Sequence, residues 1–196
     1  MKILVTGGLG FIGSHTVVEL QNAGYEVVVI DDLSNASVEV LDGIEAITGK
    51  KPEFEKLDLR DRNAVSAFFK KYADVSGAIH FAASKAVGES VHKPLLYYEN
   101  NLSSLVYLLK ELTGKASANF IFSSSCTVYG QAEELPITES APVKPAESPY
   151  GNTKQIGEEI IRDTAKVYEN FKAIALRYFN PIGAHESVEI GELPLG

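Results

Sequence analysis

Apolar residues along this chain come in short, largely β-branched runs separated by longer stretches with a helical repeat. The runs Lys2–Thr6, Glu26–Asp31, Glu53–Leu57, Gly77–Ala82, Asn119–Ser124 and Lys172–Tyr178 are strand candidates. Most are continuously apolar rather than alternating, which is the pattern of parallel strands covered on both faces. The stretches Phe11–Ala23, Val38–Thr48, Asp61–Lys71, Pro94–Thr113 and Pro149–Asn170 are helix candidates. Two helix starts are well marked. Ser148-Pro149 offers an N-cap followed by proline at the first helical position, and Lys93-Pro94 repeats the proline signal. The alternation predicts an α/β fold, a doubly wound parallel sheet with helices on both faces.

The Pro94 helix stands apart because Leu95, Leu96, Tyr97, Tyr98, Leu102, Leu105, Val106, Leu108, Leu109 and Leu112 surround much of its circumference. Such a helix is either deeply buried or uses a second face in a homodimer. Residues 131–149 hold four of the eight prolines and several acids, so they read as a long loop leading into the last helix. No internal repeat or low-complexity tract interrupts the pattern.

Composition narrows the partners. A net charge of -8 and a pI near 5.1 disfavour nucleic acid or an anionic membrane, both of which need a positive surface. An anionic cofactor remains open, because backbone amides can bind it without basic side chains. The lone Cys126 allows no disulfide within the chain and fits a reducing compartment. The apolar start Met1–Val5 is too short for a signal-peptide core, and no run approaches a membrane span. These features lead to the expectation of a soluble, cytoplasmic protein. His15, His80, His92 and His185 lack ligand spacing, so no metal is expected.

Candidate chemistry begins at Thr6-Gly7-Gly8-Leu9-Gly10-Phe11-Ile12-Gly13, a glycine-rich turn between the first strand and the first helix. Read through Gly7 or Gly8, then Gly10 and Gly13, it lets backbone approach phosphate oxygens at a helix N-terminus. The strand before it and the helix after it are the context that makes this common pattern informative. Asp31 ends the second strand, where a carboxylate accepts hydrogen bonds from an adenosine ribose and repels a 2′-phosphate. No arginine follows in Asp32-Leu33-Ser34-Asn35, so NAD is favoured over NADP. Asp58, ending the third strand, is as readily a solvated acid as a contact to an adenine edge.

Downstream, Tyr150 and Lys154 lie one helical turn apart on one face. A phenol with a pKa of about 10 is a poor base at neutral pH. A neighbouring ammonium and a cationic nicotinamide ring would stabilise its phenolate. A Tyr–Lys pair at this spacing is common on amphipathic helices. What changes its weight is Ser123-Ser124-Ser125 at the end of the fifth strand, where parallel sheets gather their reactive groups. A serine there can hydrogen-bond a substrate alcohol or ketone.

With the glycine turn, the serine strand end and Tyr150-x-x-x-Lys154 in place, the chain resembles the extended short-chain dehydrogenase/reductases, a Rossmann-like family. Gly13–Thr16, His80–Ala83, Lys85–Ser90, Ser123–Gly130 and Arg177–Pro181 are similar to its nucleotide-sugar 4-epimerases. The resemblance implies NAD contacts from Phe11, Ile12, Asp31, Asp32, Leu33, Ser34, Asn35, Ala36, Asp58 and Leu59. It adds Phe81, Ala82, Ala83, Ser84, Lys85, Asn100, Tyr150, Lys154 and Phe179. Ser125, Tyr150 and Lys154 would be catalytic, and Ser125, Tyr150 and Asn180 would meet a UDP-hexose. The implied reaction is C4 epimerisation by hydride transfer to NAD and back to the other face of a 4-ketosugar, in a homodimer. Related dehydratases place an Asp-Glu pair after the strand serine, where this chain has Cys126 and Thr127. The family's chains continue into a smaller substrate domain. Residues 1–180 would then be the NAD-binding domain and 181–196 the start of the next, which leaves a second expectation: an NAD-binding module with little or no activity alone.

Overall fold

A computed structural model describes residues 1–192. In chain order the elements are β1 (Lys2–Thr6), α1 (Phe11–Asn22), β2 (Glu26–Asp31), α2 (Val40–Thr48), β3 (Glu53–Lys56), α3 (Arg62–Lys71) and β4 (Val75–His80). There follow α4 (Val87–His92), α5 (Pro94–Thr113), β5 (Ala118–Ser125), a 3-10 turn over Cys126–Tyr129, α6 (Pro149–Val167) and β6 (Phe171–Tyr178). The strands form one parallel sheet in the order β3-β2-β1-β4-β5-β6. The order reverses between β1 and β4, which is where such sheets open a crevice beyond the strands' carboxyl ends.

Successive side chains of a strand point to opposite faces, and here both faces are covered. Leu4, Val28, Ile30, Ala78, Phe120 and Phe122 share a core with residues of α3, α5 and α6. Ile3, Val5, Val27, Val29 and Ile79 share the other with α1 and α2. That double burial is the physical reason the strands read as continuous apolar runs.

Element boundaries depart from the sequence pattern in ways that shape the site. β4 begins at Val75 rather than Gly77, because Val75 pairs with Lys2 across a register shift. It ends at His80 rather than Ala82: the N–H groups of Phe81 and Ala82 both donate to Thr6 O (3.0 and 3.2 Å), peeling the chain off the ladder toward the glycine turn. The short helix α4 was not expected. It is held by Glu89, which accepts from Lys93 (2.9 Å) and from the buried Tyr97 hydroxyl (2.9 Å). Asp61 caps α3, accepting from the N–H groups of Asn63 and Ala64. α6 stops at Val167, short of Asn170, whose side chain instead donates to the carbonyls of Thr113 and Lys115.

α5 buries Tyr97, Asn101, Leu105, Leu108, Leu109 and Leu112, while Leu95 is 80% exposed. On β6, Ile174 and Leu176 face solvent. Beyond β6, residues 181–192 fold back over the first two helices. The N–H of His185 donates to His15 Nε2 (3.0 Å), and Ile190 is buried in the α1–α2 core.

The approach of α6 to the sheet depends on Gly157, where an added Cβ would lie 2.8 Å from Phe122 Cζ and 3.4 Å from Leu105 Cδ2. We predict that Gly157→Ala lowers stability by roughly 1–3 kcal/mol through overpacking, read from urea unfolding. An unchanged midpoint would show that α6 has room to shift.

Candidate functional site

The glycine turn closes β1 against α1. Gly7 adopts a φ of 66°, and a Cβ there would lie 2.7 Å from Ala82 N, so the turn admits no side chain. A Cβ on Gly13 would collide with Gly7 O. Gly10 is the N-cap of α1 and provides no side-chain cap, and the first turn holds no acid. The first helical hydrogen bond runs from Ser14 N to Gly10 O (2.9 Å). The N–H groups of Phe11, Ile12 and Gly13 therefore have no acceptor among the described residues. Three free donors at the positive end of a helix form a cradle for an anion such as a diphosphate.

Asp31 borders this cradle from the end of β2. It is buried, and its two carboxylate oxygens accept from Leu33 N (3.0 Å) and Leu9 N (3.2 Å). Burial pushes its carboxyl above the usual range against the pull of those two amides. Each oxygen keeps a further lone pair for a hydroxyl donor. Beside it, Asp32 accepts from the N–H and hydroxyl of Ser34 (2.8 and 2.6 Å), and Leu33 and Ala36 pack on the α1–α2 core. Asn35 is exposed.

The other half of the site gathers at the end of β5. Lys154 is buried on α6, its ammonium donating to Ser123 O (2.7 Å) and lying 4.9 Å from the centre of the Phe122 ring and 5.7 Å from that of Tyr150. Burial pulls its pKa down to about 8, so the group is still largely cationic at neutral pH. Burial pushes the Tyr150 phenol above its ordinary value, while the Ser125 hydroxyl beside it pulls it down and Cys126 opposes that. Ser125 also caps the 3-10 turn, accepting from Thr127 N (3.2 Å). His80, between the two halves on β4, is a core histidine. Burial and then the Lys154 charge push it down to about 3, and the neutral ring shares a 2.7 Å hydrogen bond with Thr6.

Only β4 separates β1 from β5, so cradle and serines stand about 10 Å apart across the sheet. The loop after β4 lies between them. Ala82 touches the Gly7 turn, and Ser84 is held by Asn100 Nδ2 (2.9 Å to its Oγ) and by Asn101 Oδ1 (2.8 Å from its N). Asn101 was not anticipated. It also donates to Thr153 Oγ1 (3.0 Å) on α6, tying this loop to the helix of Tyr150. A polar pair inside the apolar Pro94 helix was the available signal.

Asp58 is engaged by the N–H and guanidinium of Arg60, which hold its carboxyl below the usual range against the burial that raises it. The Leu59 side chain is in the core. Lys85 pairs with Glu192 (3.2 Å) at the surface. Phe81 and Ala83 are half-buried beside the β4 end, and Phe179 and Asn180 are exposed just past β6. Among the described residues no cluster of His, Cys, Asp and Glu could hold a metal, and no helix is long and apolar enough to cross a membrane.

Both the sequence and the fold have relatives among known proteins. The chain is 50% identical, over its full length, to the UDP-glucose 4-epimerases of Erwinia amylovora and Haemophilus influenzae, and covers 58% of each. Its fold superposes with a TM-score of 0.96 on the UDP-glucose 4-epimerase of Bifidobacterium longum, a complex with NAD+ and UDP, at 46% identity and covering 58% of that chain. A UDP-glucose 4-epimerase from Stenotrophomonas maltophila, with bound NAD and formylated UDP-arabinopyranose, gives 0.94 at 44% identity, covering 100% of this chain and 58% of that one. The chain thus spans somewhat more than half the length of these relatives. Residues 3–191 match the NAD dependent epimerase/dehydratase family, and the chain belongs to that family.

Proposed function

We propose that this chain is the coenzyme-holding and proton-handling part of a UDP-hexose 4-epimerase that interconverts UDP-galactose and UDP-glucose. One observation carries the reading. A phenol, a buried ammonium and a serine hydroxyl meet at the end of β5, one strand away from an uncapped helix N-terminus.

NAD fits the donor set, and when bound it would supply a reversible two-electron acceptor for the C4 hydride, which is what inversion at C4 through a 4-ketosugar requires. The amides of Phe11, Ile12 and Gly13 would hold its diphosphate, and Asp31 its adenosine ribose. Lys154 would hold the hydroxyls of the second ribose. Tyr150 takes the proton of the 4-hydroxyl as the carbonyl forms and returns it as the carbonyl is reduced. Ser125 holds the same oxygen and keeps it facing the phenol. Since the polypeptide by itself raises the Tyr150 pKa, a nearby positive charge is needed to make the phenol a base. The Lys154 ammonium, 5.7 Å from the centre of the Tyr150 ring, does not by itself bring the phenol down, so a cationic nicotinamide ring would have to supply that charge. Asn180, just past β6, would begin the nucleotide-sugar site. The exposed Leu95 and Leu96 on α5 support a homodimer, and the reading places the protein in the cytoplasm.

A second reading is an NAD-binding module with little or no activity alone; the chain covers 58% of these relatives' length. A coupled assay with UDP-galactose separates the two: interconversion by the 196-residue chain overturns the inert module.

Tyr150→Phe is expected to lower interconversion by about 10²–10⁴-fold while bound NAD, measured by absorbance after gel filtration, is retained. Unchanged turnover would remove the phenol from the mechanism. A stability test addresses Lys154. Its folded pKa near 8 lies below the unfolded value of about 10.4. Burial of the cation therefore costs stability at pH below 8, and the cost fades as pH rises toward 10.4. Lys154→Met should accordingly stabilise the NAD-free protein at pH 7 by roughly 2 kcal/mol after loss of one hydrogen bond. Denaturant melts at pH 7 and pH 10 should show that gain shrinking; a gain independent of pH would contradict it.

A further inference from the structure

The three serines ending β5 are each engaged by α6, and the three residues that engage them are spaced one turn apart. Lys154 donates to Ser123 O (2.7 Å), Ser124 Oγ donates to Glu158 Oε1 (2.5 Å), and Ser125 lies beside the Tyr150 phenol. Residues 150, 154 and 158 share one face of the helix. The first two are accounted for by the chemistry above. Glu158 is not.

Glu158 is a buried carboxylate with a bidentate partner. Arg177 on β6 donates from Nε to Oε1 (2.9 Å) and from its second guanidinium nitrogen to Oε2 (2.7 Å). The Arg177 guanidinium also lies 4.7 Å from the centre of the Tyr129 ring, in the 3-10 turn that directly follows Ser125. One carboxylate thus joins β5, α6, β6 and the turn behind the serine. Burial by itself would raise the Glu158 carboxyl, but Arg177 and Ser124 outweigh it and hold the group ionised. A buried ion pair is a poor source of stability, because desolvation offsets most of the attraction. What it supplies is direction: a fork-to-fork pair accepts only a narrow range of helix positions.

We infer that Glu158 is a positioning residue: clamped between Ser124 and Arg177, it holds α6 in the register that sets Lys154 and Tyr150 against the end of β5. The inference rests on the reading that this end of the sheet receives the nicotinamide half of NAD. The glycine cradle lies on other strands and is independent of the clamp. Loss of the clamp should therefore be felt by ligands that reach Lys154 and not by ligands that stop at the cradle.

Calorimetric affinities of the 196-residue chain for NAD and for ADP make the test, and they need no turnover. Glu158→Gln keeps the shape and removes the charge. It is expected to weaken NAD by at least about tenfold while the affinity for ADP stays unchanged. Ser124→Ala, which cuts the tether and leaves the ion pair, should move NAD in the same direction and serves if Glu158→Gln fails to fold. Asp163→Asn, on the exposed side of α6, should change neither ligand. Unaltered NAD affinity in both clamp variants, or equal loss of NAD and ADP, overturns the inference. A wild-type chain that binds NAD no better than ADP, with Lys154→Met without effect, instead overturns the reading of the site.

Discussion

A cation enclosed by protein organises the half of the candidate site that gathers at the end of β5. Lys154 is buried, and an ammonium there survives only with its charge answered by oriented oxygen and π faces. Ser123 O supplies the oxygen, and Phe122 and Tyr150 supply the rings. Each of these depends on α6 lying close to β5, which the missing side chain at Gly157 permits. His80, facing the same region, is held neutral so that it adds no second charge. The helix, the serine strand end and the core histidine are thus fitted to one positive group.

The two ends of the crevice present a ligand with different chemistry. The α1 end offers three backbone N–H groups and a helix dipole, which the absence of an acid in the first turn leaves available. The α6 end offers a single side-chain cation, Lys154. This division reconciles a net charge of -8 with an anionic ligand, since neither device needs a basic surface. The loop after β4 connects the ends. Asn100 and Asn101 fix Ser84 from α5, and Asn101 continues to Thr153 beside Lys154.

Residues past β6 add a third boundary. The segment 181–192 crosses back to α1 and α2, with His185 against His15 and Ile190 in their core, and ends where Glu192 meets Lys85. It thereby brings the loop after β4 and the start of α1 into one connected rim, while Ile174 and Leu176 on the outer face of β6 remain open to solvent.

Much of this was legible in one dimension. Local signals act over a few residues, so the β1–glycine–α1 unit, the proline starts of α5 and α6, and the Tyr150–Lys154 turn spacing could all be read directly. The continuous apolar runs required a sheet covered on both faces, and the alternation of elements required parallel strands. Contacts between distant residues could not be read in that way. Nothing near Glu158 announces Arg177 or Ser124, because the ion pair exists only once β5, α6 and β6 are side by side. Nothing near Asn101 in the chain announces Ser84 or Thr153, which meet it only once α5 lies between the loop after β4 and α6. At Asp58 and Leu59 it was packing that set the side-chain partners: the Asp58 carboxylate pairs with Arg60 and the Leu59 side chain joins the core. The chain alone determined the elements and the candidate chemistry, since both follow from spacing along the backbone. Only the tertiary fold decided which charges were buried, which amides were left without partners, and what each side chain faced, because those depend on groups brought together from far apart in the chain.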